Sequence, residues 1–431
     1  MKLTTKVRVG LLVAAVSFGV WAGAQTPGSE RDAAWEDDFR VLSKALSPRG
    51  PAADFKRVIS PLGQRGQKDF SKLYPNFEVD ILSLQTELPK LEDSEIVLRL
   101  MKIIASANVA HNTVQPPMSM GFYARLPLQF VWYPDGLVVT AASREYAQAL
   151  GTHVVKIADK TPEEVLAGIA PYVPHENDAE LKEDGMSLLR PQAMLKHLGL
   201  LNAEGKAVLT LRKPGGTPFQ LAVLPGNPKA ITVSAIDTLH LRPSLAQSRP
   251  GEYYWQRYLS DSKTLYVQYN RCANDPKLPF HRFVNDLLAE LDLHEGARVV
   301  LDLRFNAGGD TRVILPLRSA LEQRLSKLGQ IDVLIGSGTM GAAVDNAAEF
   351  KSFEHAILVG EASGGTASSY GDTKYLLLPN SKLVVQYTSK WFGTKGNEAP
   401  EALKPDVTVP RTFDDILAGR DSVLEAALAA K

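Results

Sequence analysis

Two glycine turns are where this chain could do chemistry. Gly308-Gly309 follows the apolar run Arg298–Leu303, and the Gly336–Gly341 turn follows Ile331–Ile335. The first run has four apolar residues in six and suits a central strand covered on both faces. In open α/β sheets, ligands sit at the carboxyl ends of such strands. A helix beginning at Ala342 would present free amide groups and the positive end of its dipole, which suits a developing oxyanion. Gly-Gly alone also has a plainer reading, a tight strand-to-helix turn. The serines near these turns, Ser337, Ser368 and Ser369, are of a kind that usually caps a turn or faces solvent. His111, in Asn108-Val109-Ala110-His111-Asn112-Thr113, is one of eight scattered histidines, and a lone histidine is more often structural than reactive.

The elements that must carry these residues can be read along the chain. Lys2, Lys6 and Arg8 precede an apolar run from Val9 to Trp21 and then Ala22-Gly23-Ala24, the layout of a cleaved signal peptide over residues 1–24. The run is too short to span a bilayer comfortably. We therefore expect export to a periplasmic or extracellular location, with no membrane span after cleavage. Residues 25–115 read as an N-terminal helical module, with helical spacing at Asp37–Leu42 and at Ser94–Ile104, where Ser94 is a candidate N-cap. From 116 to 228 short strands predominate, interrupted by a helical insertion between Ala170 and Ala203. The proline-bearing stretch 229–254 reads as a linker. From 255 to 431 strands and helices alternate, which implies an open sheet with crossover helices.

Composition narrows the function classes. Lys+Arg and Asp+Glu are both 48, so no charge excess points to nucleic acid or acidic membranes. Cys272 is the only cysteine, which excludes an intramolecular disulfide. No His/Cys cluster has metal-ligand spacing, so neither metal nor cofactor is expected. Oligomeric state is not legible.

The octet Asp302-Leu303-Arg304-Phe305-Asn306-Ala307-Gly308-Gly309 resembles the signature of the tail-specific, or C-terminal-processing, serine peptidases of family S41. The resemblance covers roughly 255–425 well and His111–Leu137 moderately. It implies an α/β fold with a crotonase-like or ClpP-like core, beside a PDZ-like α+β domain at 116–228. It also implies cleavage of a peptide or protein substrate by acyl transfer, with Gly308, Gly309 and Ala342 supplying oxyanion donors. Family members commonly carry Thr, an apolar residue and then the nucleophilic Ser where the second turn meets its helix. This chain has Thr339-Met340-Gly341-Ala342-Ala343, which places Gly341 at the serine position. Glycine cannot attack a carbonyl or hold an acyl intermediate. The replacement fits natural loss and deliberate engineering equally.

Within the family, the resemblance is to the tricorn and retinoid-binding-protein-like branch. It makes His111 the general base, although Val109-Ala110 stand where Asp-Gly is usual and Asn112 intervenes before Thr113. It adds a glutamate before Pro405-Asp406, for which Glu398 and Glu401 are the candidates. The lysine-dependent branch is the poorer template, because no lysine lies between Lys351 and Lys374. The reading that follows is an exported S41 homologue with impaired or absent catalysis. The alternatives are a peptide-binding protein without catalysis, and rescue by Ser337, Ser368 or Ser369.

Overall fold

A computed structural model describes residues 30–46, 73–115, 118–227, 230–231, 233–234, 239, 243–392 and 401–430. The expected signal peptide and Glu398 lie outside the described residues. The helices are α1 (Glu30–Leu46), α2 (Phe77–Glu87), α3 (Asp93–Ala105), α4 (Pro162–Ile169), α5 (Asp178–Leu188), α6 (Gln192–His197), α7 (Phe280–Asp292), α8 (Leu315–Glu322), α9 (Ala342–Lys351), α10 (Phe413–Leu417) and α11 (Ser422–Ala429). The strands are β1 (Thr113–Gln115), β2 (Leu128–Tyr133), β3 (Gly136–Ala142), β4 (His153–Ile157), β5 (Ala207–Arg212), β6 (Phe219–Val223), β7 (Val233–Ser234), β8 (Tyr254–Leu259), β9 (Thr264–Tyr269), β10 (Arg298–Asp302), β11 (Ile331–Ile335), β12 (Ala356–Gly360), β13 (Ser369–Leu377), β14 (Val384–Phe392) and β15 (Val407–Thr408). No helix among the described residues is long and apolar enough to cross a membrane.

The C-terminal sheet has the order β15-β12-β11-β10-β9-β8, parallel throughout except for the β8–β9 pair. Its two faces are written in the alternation of its strands. Leu265, Val267, Val299, Leu301, Val333 and Ile335 pack with α7, α8 and α9, whereas Tyr266, Val300, Leu334 and Val359 pack with Val423, Leu424 and Ala427 of α11. A parallel sheet covered on both faces needs near-continuous apolar strands, and the run at β10 is one. In α7, Phe280, Phe283, Val284, Leu287 and Leu291 are buried, one stripe at helical spacing.

Residues 128–223 form an antiparallel sheet of order β2-β3-β4-β5-β6, with β7 added beside β3. The capping box Thr161–Glu164 and Pro162 open α4. The expected insertion forms α5 and α6. Ser94 is not the N-cap of α3: Glu92 is, and Ser94 lies inside the first turn.

The late strands β13 and β14 do not extend the parallel sheet. They form a third sheet with β1, in the order β1-β14-β13. Fully buried Asp38 in α1 accepts the amides of Asn380 and Ser381, each at 2.8 Å. Leu378, Leu383 and Val385 share one core with Phe39, Leu42 and Leu100 of the N-terminal helices. Sequence-distant ends are thus welded together beside the segment that carries His111.

Candidate active site

The octet builds its turn through Asn306. This fully buried side chain accepts the Gly308 amide at 2.9 Å and donates to the Tyr269 carbonyl at 2.8 Å. Gly308 and Gly309 both hold positive φ, +99° and +136°. A Cβ at Gly309 would lie 2.3 Å from the Cys272 carbonyl oxygen, so only glycine fits there. Cys272 itself is buried, its thiol pushed up to about 12 chiefly by that burial, and is therefore a wall and no nucleophile.

Thr339 joins the second turn to the first. Its hydroxyl accepts the Gly336 amide at 3.0 Å and donates to the Leu303 carbonyl at 2.9 Å. The Met340 amide donates to the Asn306 carbonyl at 3.0 Å. These bonds press Gly341 onto Gly308, where an added Cβ would stand 3.3 Å from the Gly341 Cα and 3.0 Å from the Ala342 nitrogen. Gly341 is the N-cap of α9, with φ +50° and ψ −127°. This is the sharp, strained strand-to-helix conformation that in α/β-hydrolases raises a nucleophile above its helix. A Cβ at 341 would have room, its nearest neighbour being the Ala307 carbonyl oxygen at 3.7 Å.

The structure thus brings Gly308, Gly309, Gly341 and Ala342 together. Gly308 differs from expectation in one respect: its amide is already bound to Asn306. The amides of Gly309 and Ala342 make no hydrogen bond among the described residues. They are the donors left for an anionic oxygen.

A third glycine pair, unremarked in the sequence as a site element, closes the other side. An added Cβ on Gly365 would stand 2.9 Å from the Gly341 nitrogen, and one on Gly364 would stand 2.1 Å from the Ser337 carbonyl oxygen. Gly364→Ala therefore forces backbone against backbone. We expect it to lower stability by about 1–3 kcal/mol or more, checked by denaturant unfolding of variant and parent.

The segment that carries His111 is tied to the Gly364–Thr366 loop through α5 and its leading turn. Glu176 accepts the Ala110 amide and the Thr366 hydroxyl. The Asn177 side chain donates to the Gly364 carbonyl at 2.6 Å while its oxygen caps α5. The segment is also held from β14: Gln386 donates to the His111 carbonyl at 2.9 Å. The Asn112 side-chain oxygen takes the Thr388 amide at 2.9 Å, and its NH2 donates to the Tyr74 hydroxyl. Asn112, a departure from the family pattern, is thus a buried pin. Burial lowers the pKa of His111, which keeps the imidazole neutral at pH 7 and able to accept a proton.

Glu401 is exposed, beside Ala402, which bridges to Thr366. Asp406 of the Pro-Asp pair serves the fold, binding the Leu358 amide and Lys351. Ser337 donates to Glu183 at 3.0 Å, on the side of its turn facing α5. Ser368 is fully buried and Ser369 pairs with Phe392 in the third sheet. Glu176 and Asn177 were missed by the sequence reading. The capping pattern at Asn177 was legible, but nothing in it announced a contact 187 residues away.

Glu180, on the same helix, is 3 % exposed and accepts the Glu176 amide at 2.7 Å. Burial, aided by the charges of Glu176 and Asp184, pushes its carboxyl up to about 8. Because the folded pKa exceeds the unfolded one, its contribution to stability is fully present below the unfolded value. It is lost as pH rises through about 8. Glu180→Gln should abolish that loss and raise stability near pH 8 by on the order of 2–3 kcal/mol, seen as a flatter dependence of melting temperature on pH.

No family model matches the chain, and no curated protein matches it. Solved structures do. Mature CPAF in complex with lactacystin superposes with a TM-score of 0.58 at 14% identity, covering 93% of this chain and 97% of that one. Mature CPAF alone gives 0.56 at 14% identity, covering 93% of this chain and 96% of that one, and a mutant of it gives the same values. At that identity the likeness is one of fold: the chain has the mixed α/β architecture of mature CPAF, over nearly its whole length.

Proposed function

We propose that this protein is an exported homologue of the S41 serine peptidases that retains the peptide cleft and has lost the attacking group. The observation that carries the reading is Gly341. It caps α9 at φ +50°, packs on Gly308 and lies next to amides that bind no other group among the described residues. On this reading the helix-start position and its two amides are kept while the side chain that would attack is absent. Removing a nucleophile leaves only the residual help of oxyanion donors and binding. The cleft then holds extended peptide without cutting it, with His111 as the vestigial base. Glu401 and Glu398 remain the candidates for orienting it. Export rests on the residue 1–24 pattern. The deciding experiment compares peptide hydrolysis by the unaltered chain and by Gly341→Ser. Robust turnover by the unaltered chain would refute the loss.

A further inference from the structure

A cavity of about 390 Å³ opens between α3, α5 and the strand β1, within the range of pockets that enclose small ligands. All three residues of β1 line it. β1 is an edge strand, hydrogen-bonded to β14 on one side only. An edge of this kind offers amides and carbonyls to an added extended chain. The walls are apolar at Met101, Val114, Val173 and Leu188.

Two opposite charges face the same space, Arg125 and Asp184. Among the described residues they form no ion pair with each other or with any other group. Among the described residues the Arg125 side chain uses only its Nε, on the Phe122 carbonyl at 3.1 Å. The Asp184 carboxylate has no hydrogen-bond partner among the described residues. Its backbone carbonyl, by contrast, is taken by Ser187. A cavity with an open cation, an open anion, apolar walls and a strand edge is complementary to one kind of ligand.

We infer that this cavity binds a short zwitterionic peptide, about the size of a tripeptide. Its chain lies along β1, its carboxylate faces Arg125 and its α-ammonium faces Asp184. The site uses neither Gly341 nor its amides, so the inference stands whether or not the chain cleaves peptides. Charge-assisted bonds at both ends would give selection for free termini over internal segments.

The test is calorimetric titration of the full chain with trileucine, N-acetyl-trileucine, trileucine amide and the doubly capped peptide. Trileucine should bind saturably, and each cap should weaken binding by about tenfold or more. Asp184→Asn should erase the penalty of the acetyl cap, and Arg125→Gln that of the amide. The capped series on the unaltered chain needs no variant to fold. Absence of saturable trileucine binding overturns the inference. So does equal binding of the doubly capped peptide, or indifference to either single cap, since the two-charge recognition would then be absent.

Discussion

Gly341→Ser should give a chain that a fluorophosphonate probe labels and that hydrolyses peptide at about a hundredfold or more above the unaltered protein. The geometry gives the reason. The position already has the strained φ of +50° at the start of a helix, and an added Cβ meets nothing nearer than 3.7 Å. The serine would stand beside the free amides of Gly309 and Ala342. The strain has a price: a non-glycine residue at such an angle costs about 1–3 kcal/mol, so the variant should melt lower than the parent. Gly341→Ala carries the same strain without a hydroxyl. It should lose the stability and gain no labelling, which separates chemistry from conformation. His111→Ala in the serine background should remove most of the new turnover. If Gly341→Ser folds, melts lower and remains unlabelled and inactive, position 341 is not where a nucleophile belongs.

Arg304→Met should be the most destabilising single change in the octet. Arg304 is 5 % exposed and spans the buried carboxylate of Asp302 and the partly buried one of Asp421. It binds Asp302 through Nε and Nη2, the shortest contact being 2.7 Å, and Asp421 through two contacts of 2.6 and 2.9 Å. Tyr266 adds a hydroxyl to Asp302 at 2.6 Å. Asp421 also caps α11, accepting the Leu424 amide, so the guanidinium ties the end of β10 to the helix covering the far face of the sheet. Removing one partner of a buried pair leaves uncompensated charge, which costs about 3–5 kcal/mol. The shift in denaturant midpoint measures it.

The pH dependence has a definite sign. Burial alone would raise the Asp421 carboxyl, and the Arg304 guanidinium more than cancels this, holding it below the usual carboxylate range. A depressed folded-state pKa means that the stabilisation is present above the unfolded value and lost as pH falls through the folded one. The parent should therefore hold this part of its stability into acid. The variant, with both carboxylates unpaired, should recover some of its deficit as they protonate.

The sequence by itself determined the parallel core and the identity of its turns. The period-two alternation at β9, β10 and β11 fixes which side chains meet α7–α9 and which meet α11, because strand residues point alternately to the two faces. Gly308 and Gly309 were legible for a related reason, because local backbone strain admits few residue types and glycine suits such turns. Gly341 was placed by the family resemblance. Only the tertiary structure decided what stands around them. That Asn306 consumes the Gly308 amide, that Gly365 seals Gly341, and that Glu176 ties Ala110 to Thr366 are contacts between segments up to 190 residues apart. The same holds for the pairing of β1 with β14. Local pattern records the angle a residue must adopt and the face it must bury, whereas the partner across a long loop is chosen by packing of the whole chain.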